Sequence, residues 1–149
     1  MIPIILYQPE IPPNTGNIIR LCANSGADLH LIHPLGFRLN EKSLRRAGLD
    51  YSEQVNLFEH PNIGRCLESL NRKKVYAFST KGSTDLYDVS FSNDDVLLFG
   101  PETRGLPEEF LRSLPAEQVI RIPMVKKSRS INLSNSVAIA LYEAIRQIR

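Results

Sequence analysis

Hydrophobic residues in this chain fall into two alternating patterns. Compact runs over Ile2–Tyr7, Asp28–Ile32, Gln54–Phe58, Lys74–Ser79, Asp95–Phe99 and Val119–Ile122 read as strands. Between them the spacing becomes helical. Thr15–Ser25 carries Ile18, Ile19, Cys22 and Ala23 on one side, and Asn62–Leu70 carries Ile63, Cys66, Leu67 and Leu70. Glu41–Ala47, after the Pro34-Leu35-Gly36 turn, and Glu108–Leu114 read as shorter helices, and Leu133–Ile148 as a long closing one. This alternation predicts an α/β fold, a mostly parallel sheet with helices on both faces. No linker, repeat or low-complexity stretch divides the chain, so residues 1–149 are expected to form a single domain with its own core.

The closing helix is more apolar than one buried face requires. Leu133, Val137, Ala140, Leu141, Ala144, Ile145 and Ile148 make a stripe, and Ile139 and Tyr142 carry apolar character onto another side. Two readings stay open: a helix sunk in its own core, or a second contact, for which a homodimer is the natural candidate.

Composition narrows the class. With 42% hydrophobic and 23% charged residues and no apolar run of about 18 residues, no membrane span is expected. The N-terminus lacks a basic region and a cleavage site, so it reads as a strand and not a signal peptide. Cys22 and Cys66, far apart in expected helices, fit reduced core residues of a cytoplasmic protein. Net charge is only +2, but six basic residues (Arg121, Lys126, Lys127, Arg129, Arg146, Arg149) face a single acid, Glu143, in the last segment. Arg38, Lys42, Arg45 and Arg46 form a second group. Such clusters are either solvated faces or the footprint of a polyanion.

Common enzyme signatures are missing. There is no Gly-x-Gly-x-x-Gly after the first strand, no Gly-Lys-Ser/Thr loop and no serine-nucleophile motif. His30, His33 and His60 lack metal-ligand spacing, so no metal is expected. What remains is a set of three polar loops at strand ends, where α/β sheets place their ligands. In Pro12–Arg20, Asn14 or Thr15 is expected to cap the helix, leaving free amides suited to an anion, with Arg20 near the mouth. Leu98–Pro107 packs two glycines, two prolines, Glu102 and Arg104 into a strand-end turn. There Gly100 is expected to let the backbone approach a ligand. In Ile122–Ser136, hydroxyl and amide side chains crowd the start of the final helix beyond what one cap needs.

The pieces Asn14-Thr15-Gly16-Asn17-x-x-Arg20, Phe99-Gly100-Pro101-Glu102-x-x-Gly105-Leu106 and Ile122-Pro123-Met124 with Ser130-x-Asn132-Leu133-Ser134 occur in order. Together they resemble the three motifs of the SPOUT RNA methyltransferases. The short chain is similar to the TrmL (YibK)-like tRNA 2′-O-methyltransferase subgroup. The likeness extends over Glu10–Pro13, Arg45–Tyr51 and Tyr142–Ala144. It implies a deep C-terminal trefoil knot, a homodimer, and S-adenosyl-L-methionine as methyl donor without metal. It implies a cofactor site at Phe78, Gly100, Ile122, Ser130 and Leu133, and a catalytic set of Asn14, Arg20, Glu102, Ser130 and Asn132. The implied product is a 2′-O-methyl group on the wobble cytidine or uridine of leucine tRNAs, whose anticodon arm would meet Arg45, Arg46, Lys126, Lys127, Arg129 and Tyr142. Lys126-Lys127 is more basic than the family pattern. Arginine is proposed as the base in such enzymes, but a pKa above about 12 keeps the guanidinium charged. Positioning the 2′-oxygen or a phosphate is the role its fork geometry suits. Two alternatives stand beside this reading: methylation at another tRNA position or of rRNA, whose enzymes usually carry an added RNA-binding domain, and a non-catalytic RNA-binding factor.

Overall fold

The computed structural model describes residues 1–40, 42, 54–71 and 74–149. Among the described residues, seven parallel strands form one sheet: β1 (Ile4–Tyr7), β2 (Leu29–Ile32), β3 (Leu57–His60), β4 (Lys74–Phe78), β5 (Thr84–Asp85), β6 (Asp95–Phe99) and β7 (Val119–Arg121), in the spatial order β3-β2-β1-β6-β4-β7-β5. Past Lys74 and Asp95 at their starts, the central strands are near-continuous apolar runs because both sheet faces are covered. Alternate side chains divide between two cores. Ile4, Leu6, Tyr76, Phe78, Leu97 and Phe99 face α1 (Pro12–Ser25) and α4 (Leu133–Ile148). Ile5, Ile32, Val75, Ala77, Val96 and Leu98 face α2 (Ile63–Ser69) and α3 (Glu108–Ser113). The expected α/β architecture is the observed one.

Element boundaries differ where local chemistry decides. The first helix begins at Pro12, not Thr15: two prolines occupy its first turn, where no amide hydrogen is required. Its N-cap is Ile11, so neither Asn14 nor Thr15 caps it, and both are buried inside the helix. Gly26 closes the helix in the left-handed region at φ 75°. The third strand lies at Leu57–His60 instead of Gln54–Phe58, set by its pairing with β2, in which His30 opposes Phe58 and Ile32 opposes His60. Its polar Glu59 and His60 are tolerated at the sheet edge. The two-residue strand Thr84–Asp85 is polar and too short for periodicity to show. The expected helix Glu41–Ala47, apart from Lys42, and the Arg45-Arg46 pair lie outside the described residues.

Both cysteines are free and buried, and burial pushes each thiol up to about 12. No helix among the described residues is long and apolar enough to cross a membrane.

Candidate active site

Strands β4, β6 and β7 end side by side, and the loops that leave them enclose a cleft of about 290 Å³. That is near the lower end of small-molecule sites, roughly 300–1,000 Å³. Phe78, Gly100, Ile122, Ser130 and Leu133, the five residues expected to hold a cofactor, all line it. Phe78 and Phe99 stack beneath with centroids 4.6 Å apart.

Gly100 is also required by the fold of its own loop. A Cβ there would lie 2.4 Å from the Leu106 nitrogen and 2.6 Å from the Gly105 carbonyl carbon. The direction a Cβ would take is thus filled by its own loop, which folds back on itself. Gly105 takes the turn at φ 69°, with its N–H donating to the Pro101 carbonyl at 3.0 Å.

Glu102 joins this loop to the first helix. One carboxylate oxygen accepts from the Glu10 amide at 2.9 Å, and the other accepts from the Ile11 amide and, at 3.5 Å, from Asn14 Nδ2. The helix entrance therefore holds an anion, but the anion is the protein's own carboxylate. Asn14 passes the connection on: its Oδ1 accepts from Asn132 Nδ2 at 3.0 Å. Asn132 then caps α4, its Oδ1 accepting from Asn135 N at 3.2 Å and Ser134 Oγ at 2.7 Å. Three distant segments thus meet in one polar chain, Glu102–Asn14–Asn132. A carboxylate so occupied by donors is a brace.

Of the expected catalytic set, Glu102, Asn14 and Asn132 are joined directly, and Ser130 lines the cleft. Arg20 sits on the exposed face of α1, on the same side as Asn17 three residues earlier, and is not among the cleft-lining residues. Lys126, Lys127 and Arg129 are exposed on the loop before α4, with Lys127 at φ 64°. Tyr142 is 50% exposed on α4.

Two features escape the sequence. Glu10 accepts from Thr103 N at 3.0 Å and from Thr103 Oγ1 at 2.8 Å, and Arg104 Nη2 donates to Gln8 Oε1 at 3.0 Å. The glutamate of Glu10-Ile11-Pro12-Pro13 was the available signal. Across the sheet, His30, His60 and Cys66 bring one potential ligand atom each within 4.8 Å of one another, although their sequence spacing gives no hint of it. The two rings lie side by side, centroids 5.2 Å apart, with Nδ1 of His30 and Nε2 of His60 facing each other at 2.9 Å. That arrangement holds a hydrogen bond between imidazoles.

Residues 1–142 match the SpoU rRNA Methylase family. The chain belongs to that family. Among curated members, a protein of Methylovorus glucosotrophus (strain SIP3-4) named tRNA (cytidine(34)-2′-O)-methyltransferase is 55% identical over 147 residues, covering 99% of this chain and 96% of the relative. A protein of the same name from Escherichia coli (strain K12) is 56% identical over 148 residues, covering 99% and 94%. Among solved structures, one described as giving insight into 2-OH methylation of C/U34 on tRNA superimposes with a TM-score of 0.93 at 50% identity, covering 99% of this chain and 95% of the other. The SpoU methyltransferase AviRb of Streptomyces viridochromogenes, solved with AdoMet, matches at a TM-score of 0.84 and 26% identity, covering 99% of this chain and 57% of the other. The resemblance read from the three motifs is thus confirmed over nearly the whole SpoU-family chain.

Proposed function

We propose that this SpoU-family chain transfers a methyl group from S-adenosyl-L-methionine to the ribose 2′-hydroxyl of nucleotide 34 of tRNA. The observation that carries the reading is the meeting of the second and third motif loops at one cleft, with the first motif tied to both through Glu102–Asn14–Asn132. The naming of relatives above 50% identity supports the tRNA position.

The cleft fits the donor. Phe78, Phe99, Ile122 and Leu133 supply apolar walls for a nucleoside and its sulfonium-bearing chain, while Ser130 and loop backbone offer polar partners. When bound, S-adenosyl-L-methionine supplies a methyl group on a positively charged sulfur. The chain's own work is to hold the hydroxyl in line with that methyl, so that the O–C bond forms as the C–S bond breaks, and to settle the oxygen as its proton passes to solvent. Glu102 keeps the cleft loop and the helix entrance in register. Ser130 and Asn132 stand where loop and final helix meet. Arg20 contributes as a bidentate donor to the ribose oxygen or the adjacent phosphate, a role its planar fork suits better than that of a base.

The RNA side of the reading draws on charge and on the final helix. Lys126, Lys127 and Arg129 project into solvent beside the cleft and suit the phosphates of an anticodon arm. Ile139, 36% exposed, and Tyr142 leave the outer side of α4 partly apolar, which supports a homodimer built on that helix, in the cytoplasm. The wobble cytidine or uridine of leucine tRNAs is the substrate that the TrmL-like pattern favours.

Calorimetric titration with S-adenosylhomocysteine tests the cofactor, and absence of binding at millimolar ligand would remove it. Mass mapping of tRNA nucleosides from cells with and without the gene tests the substrate. Loss of 2′-O-methylation at position 34 of leucine tRNAs is expected. An unchanged signal there would move the activity to another RNA.

A further inference from the structure

The Glu102 hub accounts for one contact between the cleft loop and the chain before α1. A second contact, made by different atoms, runs the opposite way. The carboxylate of Glu10 accepts from the amide of Thr103 at 3.0 Å and from its hydroxyl at 2.8 and 2.9 Å. The backbone of Glu10 meanwhile donates to Glu102 at 2.9 Å. Adjacent residues of each segment therefore exchange donors and acceptors, so neither can slide along the other. Arg104 adds a third tie through Gln8. Gln8 is held in the left-handed region at φ 47°, a conformation that a non-glycine residue keeps only under outside constraint.

Glu10 is also backed from behind. The Gly36 amide donates to the Pro9 carbonyl at 2.9 Å, and a Cβ on Gly36 would lie 2.7 Å from Glu10 Cα and 2.8 Å from its carbonyl oxygen. Three layers thus stack, Gly36 on Glu10 on Thr103. The outermost belongs to the loop whose residues Gly100 to Leu106 line the cleft.

We propose that Glu10 is a positioning residue: through Thr103 its carboxylate holds the Gly100–Leu106 loop in the shape that binds the methyl donor. The inference rests on the cofactor reading above. It predicts effects on cofactor affinity out of proportion to effects on chemistry, because Glu10 is one step removed from the cleft. A charge-assisted hydrogen bond is strong enough that its loss corresponds to about tenfold in binding.

The test measures S-adenosylhomocysteine binding, and KM against kcat with tRNA, for the unmodified chain and for Glu10→Ala, Glu10→Gln, Thr103→Val and the double variant Glu10→Ala/Thr103→Val. Glu10→Ala is expected to raise Kd and the cofactor KM about tenfold with kcat within about twofold. Glu10→Gln, which keeps length and one acceptor, is expected to fall between it and the unmodified chain. Thr103→Val is expected to weaken binding alone but to add nothing in the Glu10→Ala background, the signature of a shared interaction. Should Glu10→Ala not fold, Glu10→Gln with and without Thr103→Val carries the same comparison. Unmodified chain that binds while the Glu10 variants bind within twofold of it overturns this inference and leaves the cofactor reading standing. So do additive effects of the two positions, or a fall in kcat with KM unmoved. No binding by the unmodified chain overturns both.

Discussion

The two walls of the cleft are held in opposite ways. The Gly100–Leu106 wall is fastened by side chains and amides from 88 to 93 residues away: Glu10, Ile11 and Asn14. The Met124–Ile131 wall lines the cleft with its two ends and closes on itself between them, Ser128 donating from its amide and its hydroxyl to the Val125 carbonyl, and the charged side chains of Lys126, Lys127 and Arg129 project into solvent. The first wall has the properties of a site shaped before its ligand arrives. The second has those of a surface that meets a large, charged partner. Cofactor recognition and RNA recognition should therefore separate by wall.

The largest effect is expected from Glu102→Ala. It leaves the Glu10 and Ile11 amides and Asn14 Nδ2 without their shared acceptor, a loss of about 2 kcal/mol for a partly buried charge-assisted group. It should also lower single-turnover methyl transfer by about a hundredfold, because loop and helix entrance lose register. Denaturant titration and rapid-quench kinetics measure the two. Activity near normal would mean that the fastened wall is not the working one. Gly100→Ala is next: its Cβ would meet backbone at 2.4 Å, and overpacking of that kind costs about 1–3 kcal/mol. Gly105→Ala has open space and is strained only by φ 69°, at about 1 kcal/mol. A reversed order would show that the turn and not the close approach fixes this wall.

How much of this was legible beforehand differs by wall. The strands that carry the cleft, the loops that line it and the stripe of the final helix follow from periodicity and composition. Gly100 and Glu102 stand out in a glycine- and proline-rich strand-end loop, and Asn132 in the run of hydroxyl and amide residues before the final helix. What periodicity could not supply is who meets whom. Asn14 and Thr15 look like caps because short polar residues beside a helix start usually are. The two prolines moved that start back by one turn and buried both side chains. The Glu10–Thr103 exchange, separated by 93 residues, has no local signature at all. Nor does the meeting of His30 with His60, which only the pairing of β2 with β3 produces.

A smaller effect tests the second wall. Replacing Lys126, Lys127 and Arg129 by alanine should leave S-adenosylhomocysteine binding unchanged and weaken tRNA binding. The slope of log affinity against log salt should flatten by about two units, if each cation meets one phosphate. Filter binding across a salt series measures it. A shift in cofactor affinity instead would couple the two walls.

The smallest effect sharpens the comparison by pH. Burial holds the His60 imidazole below its ordinary value of 6.5, so protonation favours the unfolded chain. Stability from this edge of the sheet is complete above pH 6.5 and drains as pH falls below it. At the fastened wall, hydrogen bonds from Thr103 hold the Glu10 carboxyl below 4.5, so its contribution is complete above pH 4.5 and is lost only below that. Between pH 6.5 and 4.5 the chain should therefore lose stability in thermal melts while the Gly100–Leu106 loop keeps its shape, visible as unchanged S-adenosylhomocysteine affinity at 25 °C. His60→Gln should flatten the stability profile across that interval without touching affinity. Affinity that fell in step with stability would show the histidine edge and the cleft loop to be one mechanical unit, against the separate anchoring that their hydrogen bonds describe.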